Sequence, residues 1–159
     1  MIDMHTHLDL YPDALKIIDK VNKINIFTLA VTTSPKAWLV TSKVFENYKN
    51  IYVSVGLHPE IVESKANEVD LLIDCIKNTN FVGEVGIDGS TRFSKSLLLQ
   101  TRIFERVLQA CQIIAIGRNK SRARSRFPYF DEAHFHFEQL DVSIPGVRPN
   151  RPADVVIHL

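Results

Sequence analysis

Ile26-Phe27-Thr28-Leu29-Ala30-Val31 decides how this chain folds. The run is nearly continuous in apolar side chains, which suits a parallel strand covered on both faces. Parallel neighbours need a crossover connection, usually a helix, and helical patterns flank the run. Upstream, Asp13–Lys23 puts Leu15, Ile18 and Val21 with Ala14 and Ile17 on one stripe. Downstream, Ser34-Pro35 opens a second helix, with Ser34 as N-cap and Pro35 in the first turn. Its apolar positions Ala37, Trp38, Val44, Phe45 and Tyr48 recur at helical spacing.

The same alternation extends in both directions. Met1–His7 reads as the first strand and Ile51–Gly56 as the third. A helix over Ala66–Lys77 points Val69, Leu72, Ile73 and Ile76 inward. Phe81–Ile87 reads as a fourth strand, and Ser96–Gln112 as a fourth helix carrying Leu97, Phe104, Leu108 and Cys111. Ile113–Ile116 is a candidate fifth strand. Four β/α units in regular order imply an α/β fold, a parallel sheet with right-handed crossovers. A doubly wound sheet and a (β/α)8 barrel both begin this way, and both place function at the C-terminal ends of their strands.

The candidate site residues fall at those ends. His5 and His7 close the first strand at a spacing of two, so both imidazoles point to one side, a ready pair of ligands for a divalent metal. Gly56-Leu57-His58-Pro59 ends the third strand. Glu84 lies in the fourth between Gly83 and Gly86, and a carboxylate in an otherwise apolar strand is costly unless paired or metal-bound. The competing reading of Glu84 is a salt bridge to a lysine, which the position of the helical lysines in the opposite layer disfavours. His58 is balanced between a site role and a solvated turn. Asp88 either caps the following loop or orients a ligand histidine.

Composition narrows the class. A chain of 159 residues with 45% hydrophobic side chains suits one modest globular domain. A net charge of +1 gives no electrostatic case for or against nucleic acid. Cys75 and Cys111 stand apart with no CxxC spacing and read as buried, reduced thiols, which suits the cytoplasm. No secretory pattern opens the chain and no run is long enough to span a membrane, so a cytoplasmic location without membrane contact is expected.

Three motifs together resemble a known family. Met1–Asp9 with its His5-Thr6-His7, Val55-Gly56-Leu57-His58-Pro59, and Gly83-Glu84-Val85-Gly86-Ile87-Asp88 resemble, in order and spacing, the TatD family of metal-dependent deoxyribonucleases, which are amidohydrolase-like TIM barrels. Gln100 and Phe104 resemble the family's Q-x-x-x-F helix. Asp9-Leu10-Tyr11-Pro12 is similar to the TatD-like nucleases of bacterial Qat anti-phage cassettes. The resemblance covers about residues 1–112. It implies that His5 and His7 bind a first divalent ion, that Glu84 bridges two, that Glu84 and His58 are catalytic, with His58 contacting the substrate phosphate, and that Asp88 supports them. The ions, one or two of Mg²⁺, Mn²⁺ or Zn²⁺, polarise a phosphodiester and acidify a bound water. DNA is the substrate so implied.

Beyond residue 112 the chain departs from that pattern. A full barrel of eight strands takes about 250 residues. Gly117 stands where the family supplies its next histidine ligand, and a basic stretch, Arg118–Arg126, follows. Residues 1–112 use nine Lys and three Arg, and residues 113–159 one Lys and six Arg, a switch that points to a different coding history for the second part. The expectation is therefore a TIM-barrel type cut to its first four or five β/α units over 1–117, then a divergent, irregular tail over 118–159. Within that tail, Phe127, Tyr129 and Phe130 offer stacking faces beside the basic run, and His134 and His136 share one face if Ala133–Glu138 is a strand; a solvated tail is the preferred reading. Half a barrel leaves two open sheet edges, which homo-oligomer formation would cover. The alternative to a nuclease is an inactive TatD-like remnant that binds metal or a partner.

Overall fold

The expected central strand is β2, Phe27–Val31, and Thr28 to Val31 are all buried, as a strand covered on both faces requires. The computed structural model describes residues 1–111, 113–117, 121, 135–139 and 155–158. β2 pairs in parallel with β1 (Ile2–Thr6) on one side and β3 (Ile51–Ser54) on the other. The connections are α1 (Ala14–Lys23) and α2 (Pro35–Phe45), so strand and helix alternate as the periodicities indicate. Ser34 is the N-cap of α2: its Oγ accepts the Ala37 N–H at 3.3 Å, and Pro35 takes the first turn.

Further along, α3 (Val62–Lys65), a single 3-10 turn over Ala66–Glu68, and α4 (Val69–Ile76) replace the one helix expected from Ala66. Val69, Leu72 and Ile76 are buried, as their spacing requires. α5 (Leu97–Ala110) follows. Its buried face is Gln100, Ile103 and Val107, continued by Cys111, whereas Leu97 is exposed and Phe104 and Leu108 lie at the flank. The expected stripe was rotated because its key position is a glutamine, which reads as solvent-facing until its partners are known. Leu15, expected on the inner stripe of α1, is also exposed, at 61%; the buried face there is Ile18, flanked by Ala14, Ile17 and Val21. Cys75 is a free, buried thiol, and burial followed by the adjacent Asp74 charge pushes its pKa up; Cys111 is buried too.

The fourth strand differs from expectation. Phe81–Ile87 makes one parallel bridge, Val82 to Val55, and no regular ladder. The reason lies in its hydrogen bonds. Val55 N–H donates to Phe81 O (3.1 Å) and Gly83 N–H to Val55 O (2.8 Å), but Glu84 N–H turns away to Thr32 O (3.3 Å), beyond the end of β2. The segment crosses the sheet end instead of running along β3.

Ile113–Gly117 is β4, as its apolar run indicates, but it belongs to a second parallel sheet, in the order β5-β4-β6, with β5 (Phe135–Gln139) and β6 (Val155–His158). Two strands thus stand where an irregular tail was expected. Apart from Ser121, the basic run Arg118–Arg126 lies outside the described residues, as do Phe127, Tyr129, Phe130 and His134. Among the described residues, no helix is long and apolar enough to cross a membrane.

Candidate metal centre

His5, His7, His58 and Glu84 come together at the C-terminal end of the first sheet, from three different segments of the chain. The ladder between β1 and β2 slips between Asp3 and Thr6, where three residues of β1 pass two of β2. Such a bulge re-aims the residues beyond it. The His5 N–H in the bulge donates to Asp3 Oδ1 at 3.1 Å. The two imidazoles still face one region, edge to face with centroids 5.3 Å apart.

His7 is oriented by the main chain. Its Nδ1 lies 3.0 Å from Val31 O. A carbonyl only accepts, so Nδ1 is the donor of this bond and Nε2 is the ring nitrogen turned toward the cluster. That Nε2 is 3.5 Å from Glu84 Oε2, and His5 Nε2 is 4.0 Å from the same oxygen. Ligand atoms of His5, His7 and Glu84 all lie within 4.8 Å of one another, close enough for one ion. Glu84 Oε2 is buried and has no hydrogen-bond partner among the described residues. An orphaned buried carboxylate oxygen is costly unless something bonds it, so the donor set fits a divalent cation. Asp9 Oδ1 is a second such atom.

Glu84 is placed by residues that hydrophobic patterning does not single out. Thr32 Oγ1 donates to Ser54 O (2.8 Å), and Ser54 Oγ donates to Gly83 O (2.7 Å). Both hydroxyls are buried and link β2, β3 and the Glu84 segment. Gly56 completes the cradle: a Cβ there would fall on the backbone N and O of Glu84. The only sequence signal for this network is Ser and Thr at the ends of otherwise apolar strands.

His58 stands on the other side of Glu84. Its N–H donates to Thr33 O (3.0 Å), its Nδ1 accepts the Glu60 N–H (3.2 Å), and its Nε2 is 3.3 Å from Glu84 Oε1. Its side chain is 25% exposed and faces the Glu84 carboxylate. Asp88 Oδ1 accepts the Ser90 N–H at 2.8 Å, within its own loop, and the His7 ring is bonded to Val31 O. The Asp88 N–H donates to the buried Gln100 Oε1 (2.7 Å), and Gln100 Nε2 donates to Ser96 Oγ (2.9 Å). Gln100 thus anchors the segment that follows Glu84 to α5. An open cleft of about 420 Å³ lies beside the histidine pair, lined by His5, Thr6, His7, Leu10 and Tyr11.

Comparisons with known proteins agree with this architecture. An uncharacterised metal-dependent hydrolase of Buchnera aphidicola is 32% identical over 55% of this chain and 39% of its own length. The crystal structure of YjjV, a TatD homologue from Escherichia coli K12, superposes with a TM-score of 0.60 at 17% identity, covering 78% of this chain and 52% of that one. This likeness gives the fold: a parallel β/α arrangement of the TIM-barrel type, with three strands in an open sheet around the candidate site. The chain spans between two fifths and about half of the length of these relatives. Residues 2–115, well over half of the chain, match the family model for TatD-related DNases, and the chain belongs to that family.

Proposed function

We propose that this chain holds a divalent cation at His5, His7 and Glu84 and hydrolyses phosphodiester bonds of DNA in the cytoplasm. The observation that carries the reading is Glu84 Oε2, buried, without a hydrogen-bond partner among the described residues, and 3.5 Å and 4.0 Å from two imidazole nitrogens. Bound there, such an ion supplies Lewis-acid polarisation of a phosphodiester and acidification of a water. The chain's own residues do the rest. His7, bonded to Val31 O through Nδ1, turns its Nε2 toward Glu84. Glu84 supplies negative charge in a partly buried setting. The cleft bounded by Leu10 and Tyr11 gives a substrate access to the cluster.

A specific observation supports a second reading, a metal-binding chain without turnover. Among the described residues, the group able to hold a metal is only three side chains, and a two-ion mechanism asks for more donors. The test is cleavage of a labelled DNA oligonucleotide by the full chain with Mn²⁺, with EDTA, and for Glu84→Gln. Mn²⁺-dependent cleavage that Glu84→Gln lowers by at least a hundredfold supports the nuclease. Metal binding without cleavage supports the second reading. Neither binding nor cleavage overturns both.

A further inference from the structure

Tyr11 stands apart from the other described tyrosines. Tyr48 bonds Asp19 through its hydroxyl and meets the Phe45 ring, and Tyr52 stacks on Phe27 and meets Phe81. Tyr11 has no such partner among the described residues, and it is 50% exposed. Its backbone, in contrast, is fixed. Leu8 is buried and seats the turn that follows His7, the Leu10 N–H donates to His7 O (3.1 Å), and the Ala14 N–H donates to Tyr11 O (3.2 Å). A proline restricts the residue before it to extended backbone, and Tyr11, before Pro12, has φ −73° and ψ 138°. One short turn thus joins a candidate metal ligand, His7, to an uncommitted aromatic ring.

Both residues line the same open cleft of about 420 Å³, with His5, Thr6 and the 64% exposed Leu10. Neither lysine nor arginine is among the lining residues, so this part of the site has no such cation to offer a second phosphate. What stands beside the histidines is one aromatic face and one aliphatic side chain, which suits a flat, uncharged group. On a DNA strand held at the metal centre through one phosphate, the flat, uncharged group next to that phosphate is the base.

We propose that Tyr11 is a stacking platform for the nucleobase beside the phosphodiester at the metal centre, so that this chain recognises the presence of a base there as well as the phosphate. The inference rests on the DNA reading above and deepens it by naming a residue that contacts the nucleotide. Every base has a π-face, so the contact tolerates any sequence and selects against a missing base. Stacking of one base on an aromatic side chain contributes roughly 5–150-fold in affinity.

Anisotropy titration of the full chain in MnCl2 tests it. The probes are a short labelled oligothymidylate and a strand of the same length with every base removed, both with phosphorothioate linkages that resist cleavage. Wild type is expected to prefer the base-bearing strand by on the order of 10-fold or more. Tyr11→Ala is expected to lose most of that preference while binding the abasic strand as wild type does. Tyr11→Phe and Tyr11→Trp, which keep a ring without the phenolic hydroxyl, are expected to retain it. A Tyr11 that only supported the turn would weaken binding of both strands alike. Equal loss on both strands in Tyr11→Ala, or a wild type with equal affinities for the two, overturns the inference; Mn²⁺-dependent cleavage of an ordinary oligonucleotide then leaves the nuclease reading standing. A Tyr11-dependent preference without such cleavage supports the inference and removes turnover. No binding of either strand removes DNA as the ligand and the inference with it. If Tyr11→Ala loses its cooperative melt, Tyr11→Leu takes its place, and a full preference kept by this ringless variant overturns the inference.

Discussion

Gly56 shows how much of the site depends on one missing methyl group. A side chain at this position would overlap the backbone of Glu84, which cannot swing aside as a flexible side chain can. Overpacking costs typically 1–3 kcal/mol, and backbone contact puts Gly56→Ala near the upper end, at about 3 kcal/mol. The expected outcome is a urea midpoint lowered by that amount together with weaker Mn²⁺ binding; a variant with wild-type values for both would mean that the Glu84 segment is not seated as described. The candidate ligands stand out in the sequence because their chemistry is unusual where they stand: two histidines at a strand end, and a carboxylate between glycines. Their supports were not. Thr32, Ser54 and Gln100 are ordinary polar residues in a sequence, and only three-dimensional pairing shows that their hydrogen bonds set the direction of Glu84 and Asp88.

At the scale of elements, Glu68 joins two helical segments. It ends the 3-10 turn before α4 and is only 1% exposed, yet its carboxylate takes the Lys36 N–H in the first turn of α2 at 3.3 Å. Lys65 Nζ at 3.0 Å and Lys36 Nζ at 3.8 Å complete its shell. A negative charge at a helix N-terminus is favourable. Burial alone would push the Glu68 carboxyl up; the bonds from Lys65 and the Lys36 backbone and both lysine charges outweigh it and hold its pKa below the ordinary value. A lowered folded-state pKa means that the stabilisation is complete above the unfolded-state value and is lost as pH falls through the folded one. Removing a bonded buried group costs about 1–3 kcal/mol, and the lysines stay partly solvated, so Glu68→Gln is expected in that range at pH 7. Urea melts of both proteins should converge as pH drops below the ordinary carboxylate range, and a gap independent of pH would show that packing, not charge, holds the junction. The element order was readable from periodicity, because β2 and α4 follow single clean periods. Phe81–Ile87 misled because an apolar run marks burial, whereas strand pairing depends on where Glu84 N–H goes.

For the whole molecule, β1 is the exposed margin of its sheet. Among the described residues it pairs only with β2, and Ile2 and Met4 are 68% and 54% exposed. An open, apolar edge invites pairing with another chain, and a charge on it opposes that. Sedimentation velocity is expected to show mass rising with protein concentration, less so for Met4→Lys; a monomer at every concentration would mean that the edge is covered.

The proposed metal centre bears on the global fold as well, because its candidate ligands are distant in sequence. His5 lies in β1 and His7 just after it, whereas Glu84 stands beyond β3, so a bound ion closes a loop that spans the whole first sheet. An ion that binds only the folded state adds about 2.7 kcal/mol at a hundred times its Kd. For a domain near 100 residues, each kcal/mol raises Tm by about 4 °C or more. Mn²⁺ is therefore expected to raise the Tm of wild type by on the order of 10 °C, reversed by EDTA. Glu84→Gln, which exchanges the anionic ligand for a neutral amide at constant shape, should lose most of this rise. Equal shifts in the two proteins would place the bound ion somewhere other than His5, His7 and Glu84, whereas a rise confined to wild type ties metal binding to the pairing of β1 with the segment beyond β3.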